Sequence, residues 1–267
     1  MGVTRLWNIT IVSLAVMLAS SCMIPFLEGN LFEQFDGPPS ADSILGRYSG
    51  DDGVPADQAD SFIADLTDAA GSPRFFRDLT PESRTQLTDS LASVYNNTDD
   101  VEVETRQRAA LLAADVNLRG TDAGETTNNL VSYFADGGDD PLGDPVGLLD
   151  AIIPESAQGD AAAIEAILQS YIAAADAYEA FGTTLGEDDP PDGTNLGSVA
   201  QNAAVAIAVK QLAATNGGAD GLAASLANPD DEDELDTTGF DDILEEGSPL
   251  SNILGGAGLD GVFNNGD

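Results

Sequence analysis

Arginine is the residue type whose positions in this chain first indicate chemistry. Six of the nine cationic residues fall within 46 residues, at Arg74, Arg77, Arg84, Arg106, Arg108 and Arg119. A guanidinium group forms paired hydrogen bonds with a carboxylate or a phosphate. Two neighbouring helices could therefore gather these side chains into a patch that binds an anion, an acidic lipid headgroup or a partner. Pairing with Asp and Glu side chains of the same domain is the competing interpretation.

Carboxylates are the other abundant reactive groups, and hard cations such as Ca²⁺ bind oxygen ligands. Residues 234–245 partly match an EF-hand loop around Gly239, but Asp241 stands where that loop has an apolar residue. The loop DGGDDPLGD, residues 136–144, is a second weak match. Carboxylate pairs of the kind that hydrolyse glycosidic bonds are too frequent in this chain to indicate an enzyme. We therefore expect no metal site and no cofactor.

The residue counts exclude several function classes. The chain has no His and one Cys, which rules out a His-based catalytic triad, a His metal site, a Cys-rich zinc module and an intrachain disulfide. Nine Lys and Arg against 47 Asp and Glu make a basic nucleic-acid-binding face implausible, and we expect no nucleic-acid partner. No catalytic signature is found, so the sequence predicts a protein that is not an enzyme.

The first 22 residues have the features of an export signal. Arg5 is the one charged residue before Glu28, and a mostly apolar run over residues 6–20 leads to small residues and then Cys22. The run is too short for a comfortable membrane-spanning helix. A buried N-terminal helix and a permanent single-span anchor are the alternatives.

The residues Leu18-Ala19-Ser20-Ser21-Cys22 resemble the lipobox of bacterial lipoproteins. They depart from its commonest form, with Ala19 in place of Leu and Ser21 in place of Gly or Ala. The resemblance implies removal of residues 1–21 and lipidation of Cys22, so that the membrane is a partner through the lipid anchor. In the sorting rule of Gram-negative lipoproteins, Met23 implies export to the outer membrane, on its periplasmic or its surface face.

The charge of the chain is strongly negative, −38 formally, and the acidic residues are spread along its length. Such a charge repels itself at low ionic strength and is screened at high salt. The composition, with 33 Asp and a single Lys, resembles that of proteins from salt-loving organisms. We predict a salt-adapted, halophilic protein.

Composition divides the chain after the signal into three parts. Residues 22–54 are rich in Gly and Pro, which predicts a flexible tether, although Ile44 and Leu45 could dock onto the domain. Residues 55–227 form a helical domain. Residues 228–267 are rich in Asp, Glu, Gly and Asn, which predicts a mostly disordered tail. Apolar residues in this tail, including Leu250, Ile253 and Leu254, could form a short docking segment.

The domain at 55–227 has apolar residues at helical spacing. The clearest stripe runs from Ile164 to Phe181, before a loop at residues 182–197. No alternating strands are found, so we predict an all-α fold, an irregular bundle of about six to eight helices. The stretch SYIAAADAYEAFG resembles the second half of a tetratricopeptide helix pair, and a TPR-like α-solenoid is the alternative.

Taken together, these features predict a non-catalytic, lipid-anchored extracytoplasmic protein. We expect an interaction module or assembly scaffold with an unknown protein partner. A carrier that holds a small molecule or lipid in a groove between helices is one alternative, and a carboxylate-dependent hydrolase is another.

Overall fold

The structure is a computed structural model that describes residues 39–50, 53–120, 149, 152–185, 188–227, 236, 245 and 247–258. These residues contain nine α-helices: α1 (Ala41–Tyr48), α2 (Ala59–Ala70), α3 (Pro73–Arg77), α4 (Pro81–Tyr95), α5 (Val103–Arg119), α6 (Ala161–Leu185), α7 (Leu196–Thr215), α8 (Gly218–Ala227) and α9 (Pro249–Gly256). Short 3₁₀ turns lie at Ala56–Gln58 and Glu155–Ala157. None of the helices described is long and apolar enough to cross a bilayer.

Several of these helices have a polar N-cap residue. Ser40, Thr80, Asn195 and Ser248 each accept a hydrogen bond from the backbone N–H three residues later. Such caps satisfy backbone donors that have no partner within the helix. Pro81 and Pro249 follow two of them at the first helical position, where no N–H is needed.

Helix α6 is the centre of the fold. Its apolar stripe is buried as the sequence predicts, and Ile164, Leu168 and Phe181 are fully inaccessible to solvent. Helices α5, α7, α8 and α9 all pack against α6. In a solenoid each repeat contacts only its neighbours, so this hub arrangement identifies an irregular bundle. The prediction of an all-α bundle is confirmed.

The N-terminal helices form the other side of the core. Helix α5 packs against α2, α4 and α6, and α1 packs against α2 and α4. Helix α7 is surrounded at its centre, where all seven residues from Ala203 to Val209 are buried. This agrees with its apolar character on every face.

Helix α1 departs from the flexible tether predicted over residues 22–54. Ile44 and Leu45 are buried, and Ser83 on α4 donates a hydrogen bond of 2.7 Å to Asp42. Asp65 on α2 accepts hydrogen bonds from Arg47, at 2.5 Å, and from Tyr48, at 2.8 Å. Burial and these polar contacts order a segment whose Gly and Pro content alone disfavours structure. Residues 1–38 lie outside the described part of the chain.

Helix α9 departs likewise from the mostly disordered tail predicted over residues 228–267. Leu250, Ile253 and Leu254 are buried against α6 and α7. The predicted loop at residues 182–197 also begins too early, because α6 continues through Gly182 to Leu185. Seven of the nine described helices, α2 to α8, fall within the domain predicted at 55–227.

Candidate functional site

The arginines expected to form one patch lie in three places. Arg106 and Arg108 lie in the first turns of α5, and Arg119 is its last residue. Thirteen residues of α-helix span about 20 Å, so one small anion cannot contact both ends. The structure therefore does not bring the six predicted residues together as one site.

Arg84 and Arg119 surround the C-terminal end of α5. Arg84 donates a hydrogen bond of 3.1 Å from Nη1 to the carbonyl oxygen of Gly120. The Arg119 guanidinium lies 4.1 Å from the centre of the Phe76 ring and 3.6 Å from Asp115. Cations at a helix C-terminus interact favourably with its dipole. These two arginines stabilise the fold, and their charges are engaged within the domain.

Arg74 and Arg77 lie on the short helix α3. Arg77 pairs with its neighbour Asp78 at 3.1 Å. Arg74 is exposed and borders a shallow cavity of about 130 Å³, together with Pro39, Ser40, Ala41, Phe75, Asp78 and Leu79. The Asp78 carboxylate at the same cavity opposes the binding of an anion.

The N-terminal part of α5 holds the remaining two arginines. Arg108 pairs with Glu104 at 2.5 Å across one helical turn. Arg106 Nε and both amide atoms of Gln107 are buried, and no hydrogen-bond partner for them lies in the described part of the chain. Gln107 is only 1% exposed, so its amide has lost its hydrogen bonds to water, and no group in the described part of the chain replaces them.

Lys210, the one lysine of the chain, joins α7 to α6. Its ammonium group lies 2.7 Å from Asp176 and 2.6 Å from Glu179. Partial burial lowers the pKa of Lys210, but hydrogen bonds to both carboxylates outweigh this effect and leave the pKa above its ordinary value. Asp176 also adds to the effect of burial in raising the pKa of Tyr95 on α4. Sequence reasoning missed this cluster, although Asp176 and Glu179 share one face of a predicted helix.

A second polar cluster lies between α5, α6 and α7. Tyr178 is buried, and burial raises the pKa of its hydroxyl, with a smaller contribution from Asp115. The Asn202 side chain is hydrogen-bonded to this hydroxyl and lowers the pKa by less. Partial burial also raises the pKa of the Asp115 carboxyl, whose side chain is 43% exposed, and Arg119 opposes that rise. Tyr178 therefore stays a neutral phenol and serves as an internal polar contact.

The two weak matches to calcium-binding loops lie mostly outside the described residues. Of the EF-hand-like segment, Asp236 and Glu245 are described, and both are exposed. The backbone of Asp236 pairs with the side chain of Asn216: its N–H donates to Oδ1 at 2.9 Å, and its carbonyl accepts from Nδ2 at 2.9 Å. No group of three or more acidic or Cys side chains in the described ranges could hold a metal ion. The loop at 136–144 lies outside those ranges, as does Cys22.

The close packing of α9 against α6 is a further feature that sequence reasoning missed. A Cβ atom on Gly182 would lie 2.3 Å from the carbonyl oxygen of Pro249, so only glycine permits this approach. Asn252 on α9 donates a hydrogen bond of 3.1 Å to the carbonyl of Gly182. The side chains of Leu185 and Leu196 lie beside Gly256 at the other end of the helix. We call the surface formed by Gly182, Leu185 and Leu196 the α6/α7 groove.

Comparison of the chain with known protein families, with curated proteins and with solved structures finds no match.

Proposed function

We propose that this protein is a non-catalytic, lipid-anchored extracytoplasmic interaction module that serves as an assembly scaffold, with outer-membrane placement favoured. The lipobox residues Leu18 to Cys22 support the anchor. Ala41, the first residue of α1, follows Cys22 by 19 residues, a length of chain that spans at most about 65 Å. The acylated end and the helical body are thus close enough for the anchor to hold the body near a membrane.

The observation that carries the proposal is the distribution of charge. The cations of the described region are largely engaged in internal contacts, as in the pairs Arg47–Asp65, Arg108–Glu104 and Lys210–Glu179. Many carboxylates face solvent and form no such pair within the described part of the chain, among them Asp57, Asp89, Asp99, Asp188 and Asp192. The exterior is therefore an anionic surface, which at high salt can approach another surface without strong repulsion.

The state of the buried titratable groups supports a non-catalytic role. Lys210 is held protonated between two carboxylates, so its amine is a poor nucleophile and a poor base. Tyr178 is buried as a neutral phenol whose hydrogen bond joins α6 to α7. The stripe from Ile164 to Phe181 fills the core, which argues against the carrier alternative that would place a ligand along it.

Metabolic labelling with a tagged fatty acid tests the anchor. We expect the label on the native chain and no label on Cys22→Ala, with Cys22→Ala recovered from the soluble fraction. Crosslinking and affinity purification from native membranes in high salt then test the scaffold role. A reproducible protein partner that is lost from Cys22→Ala supports the proposal. An unlabelled native chain, or a bound metabolite in place of any protein partner, contradicts it.

A further inference from the structure

Helix α9 is bound in the α6/α7 groove in the way that a separate helical ligand is bound. Leu250, Ile253 and Leu254 lie at the i, i+3 and i+4 spacing that places them on one face, and all three are buried. Because Gly182 has no side chain, the backbone of Pro249 packs directly against α6 at this point. Asn252 fixes the position of the helix with its hydrogen bond to the Gly182 carbonyl.

The helical form of α9 depends on this groove. It has eight residues, and isolated helices of that length are not stable in water. Its main contacts with other helices are to α6 and α7, the two elements that form the groove. The segment Pro249–Gly256 is therefore helical where it meets the groove, as a recognition peptide is.

The connection between α9 and the rest of the body is long. Residues 228–248, which are 21 residues, separate the end of α8 from Pro249 and span at most about 70 Å. One described point of attachment lies within them, where Asp236 is hydrogen-bonded to Thr215 and Asn216. Beyond that point residues 237–248, which are 12 residues, span at most about 40 Å, a length that can reach a groove on a neighbouring molecule as well as its own.

We propose that α9 is exchanged between copies of this chain, so that the α9 of one copy occupies the α6/α7 groove of another. The occupant is a second copy because the segment that fits the groove is present in every molecule. Within one molecule the connection gives α9 an effective concentration of about 1 mM. Exchange therefore requires crowded copies, and here the inference rests on the proposed function, since lipid anchoring concentrates copies in a thin layer. When one copy places its α9 in a second copy, its own groove becomes empty and the α9 of the second copy becomes free. Further copies can then bind at both ends, which permits a linear polymer or a closed ring.

A pair of complementary variants tests the exchange, both made in the mature-length chain of residues 22–267 with Cys22→Ala, which has neither the apolar signal nor the acylation site. The first, with Leu250→Asp and Ile253→Asp, prevents its α9 from binding and leaves its α6/α7 groove unchanged. The second, Gly182→Leu, blocks the groove and keeps the helix. We expect each variant alone to be monomeric by light scattering in about 3 M NaCl, where the repulsion between acidic surfaces is screened. Their equimolar mixture should form a one-to-one dimer at about 0.1 mM.

Two controls define the outcome. Mixing Gly182→Leu with a chain whose groove is intact and occupied by its own α9 should give at least about tenfold less dimer, because the groove has an internal competitor. A labelled peptide of residues 247–258 should bind the first variant, and the same peptide with both Asp substitutions should not.

No dimer from two folded variants, or no binding of the peptide, overturns the inference. Global unfolding of the first variant overturns it too, because α9 would then be an inseparable part of the core. A dimer that forms in solution while fatty-acid labelling of Cys22 fails would leave the exchange standing and would refute the membrane anchor alone.

Discussion

The substitution Gly182→Ala tests how closely α9 depends on the backbone of α6. The new methyl group would lie 2.3 Å from the Pro249 carbonyl oxygen and 2.9 Å from its Cα, both well inside normal contact. These are backbone atoms, which cannot rotate away as the end of a long side chain can. Helix α9 must therefore retreat by about 1 Å to relieve the overlap.

The magnitude follows from what α9 buries. Leu250, Ile253 and Leu254 together gain roughly 5–9 kcal/mol by burial, and a gap of about 1 Å forfeits a quarter to a half of such contact energy. We expect the docking of α9 to weaken by about 2 kcal/mol, which is roughly a 30-fold increase in its opening. Alanine in place of glycine should stabilise α6 itself by about 1 kcal/mol. Global stability should therefore fall by only about 1 kcal/mol, while α9 opens about 30-fold more often.

Native-state hydrogen exchange measures the two effects separately. Amides of α9 should lose about 30-fold in protection, whereas amides near Ile167 in α6 should lose no more than about fivefold. The matched control is Gly46→Ala in α1, where an added methyl group meets nothing within 4 Å. That variant should gain about 0.5–1 kcal/mol by thermal unfolding and leave α9 unchanged. If Gly182→Ala behaves like Gly46→Ala, with α9 fully protected, the reasoning from the close approach is refuted.

Three further predictions concern charge. Urea unfolding should show that Lys210→Met loses about 1 kcal/mol of unfolding free energy and Arg108→Ala less than about 0.5 kcal/mol. The difference is expected because Lys210 bridges two helices and is only one-third exposed. Equal losses in the two variants would contradict this. Above pH 10, Tyr178 loses its proton in the unfolded state but keeps it in the folded state. This residue should therefore lower the free energy of unfolding by about 1.4 kcal/mol for each pH unit. Tyr178→Phe should show a shallower decrease of stability with pH in alkaline unfolding curves. The melting temperature should rise as NaCl increases from about 0.1 to about 3 M, and a flat or falling profile would count against salt adaptation.

The parts of the fold that could be predicted from the sequence are those whose signal is local. The stripe from Ile164 to Phe181 predicts α6 because helical spacing places one apolar face against the core. Thr80 and Pro81 predict the start of α4 because capping involves residues only a few positions apart. Both signals are contained within one stretch of chain.

The parts that could not be predicted depend on tertiary contacts. Helices α1 and α9 have eight residues each and are stable only because other helices bury them. Gly182 indicates a loop when read locally, yet it lies within α6, where its lack of a side chain lets α9 approach the backbone. The six arginines are close in sequence but separated in space, since α5 holds Arg106 and Arg119 at opposite ends.

The internal use of cations connects the stability of this protein with its proposed assembly. Each guanidinium or ammonium group that pairs inside the bundle, as Lys210 does with Asp176 and Glu179, is unavailable to neutralise another copy. Contact between copies at low ionic strength would bring unpaired carboxylates together and would be repelled over about 10 Å or more. The buried face of α9, with Leu250, Ile253 and Leu254, is by contrast uncharged. Salt should therefore favour folding and helix exchange together, because the same screening that lets the bundle close also lets a second copy approach its groove.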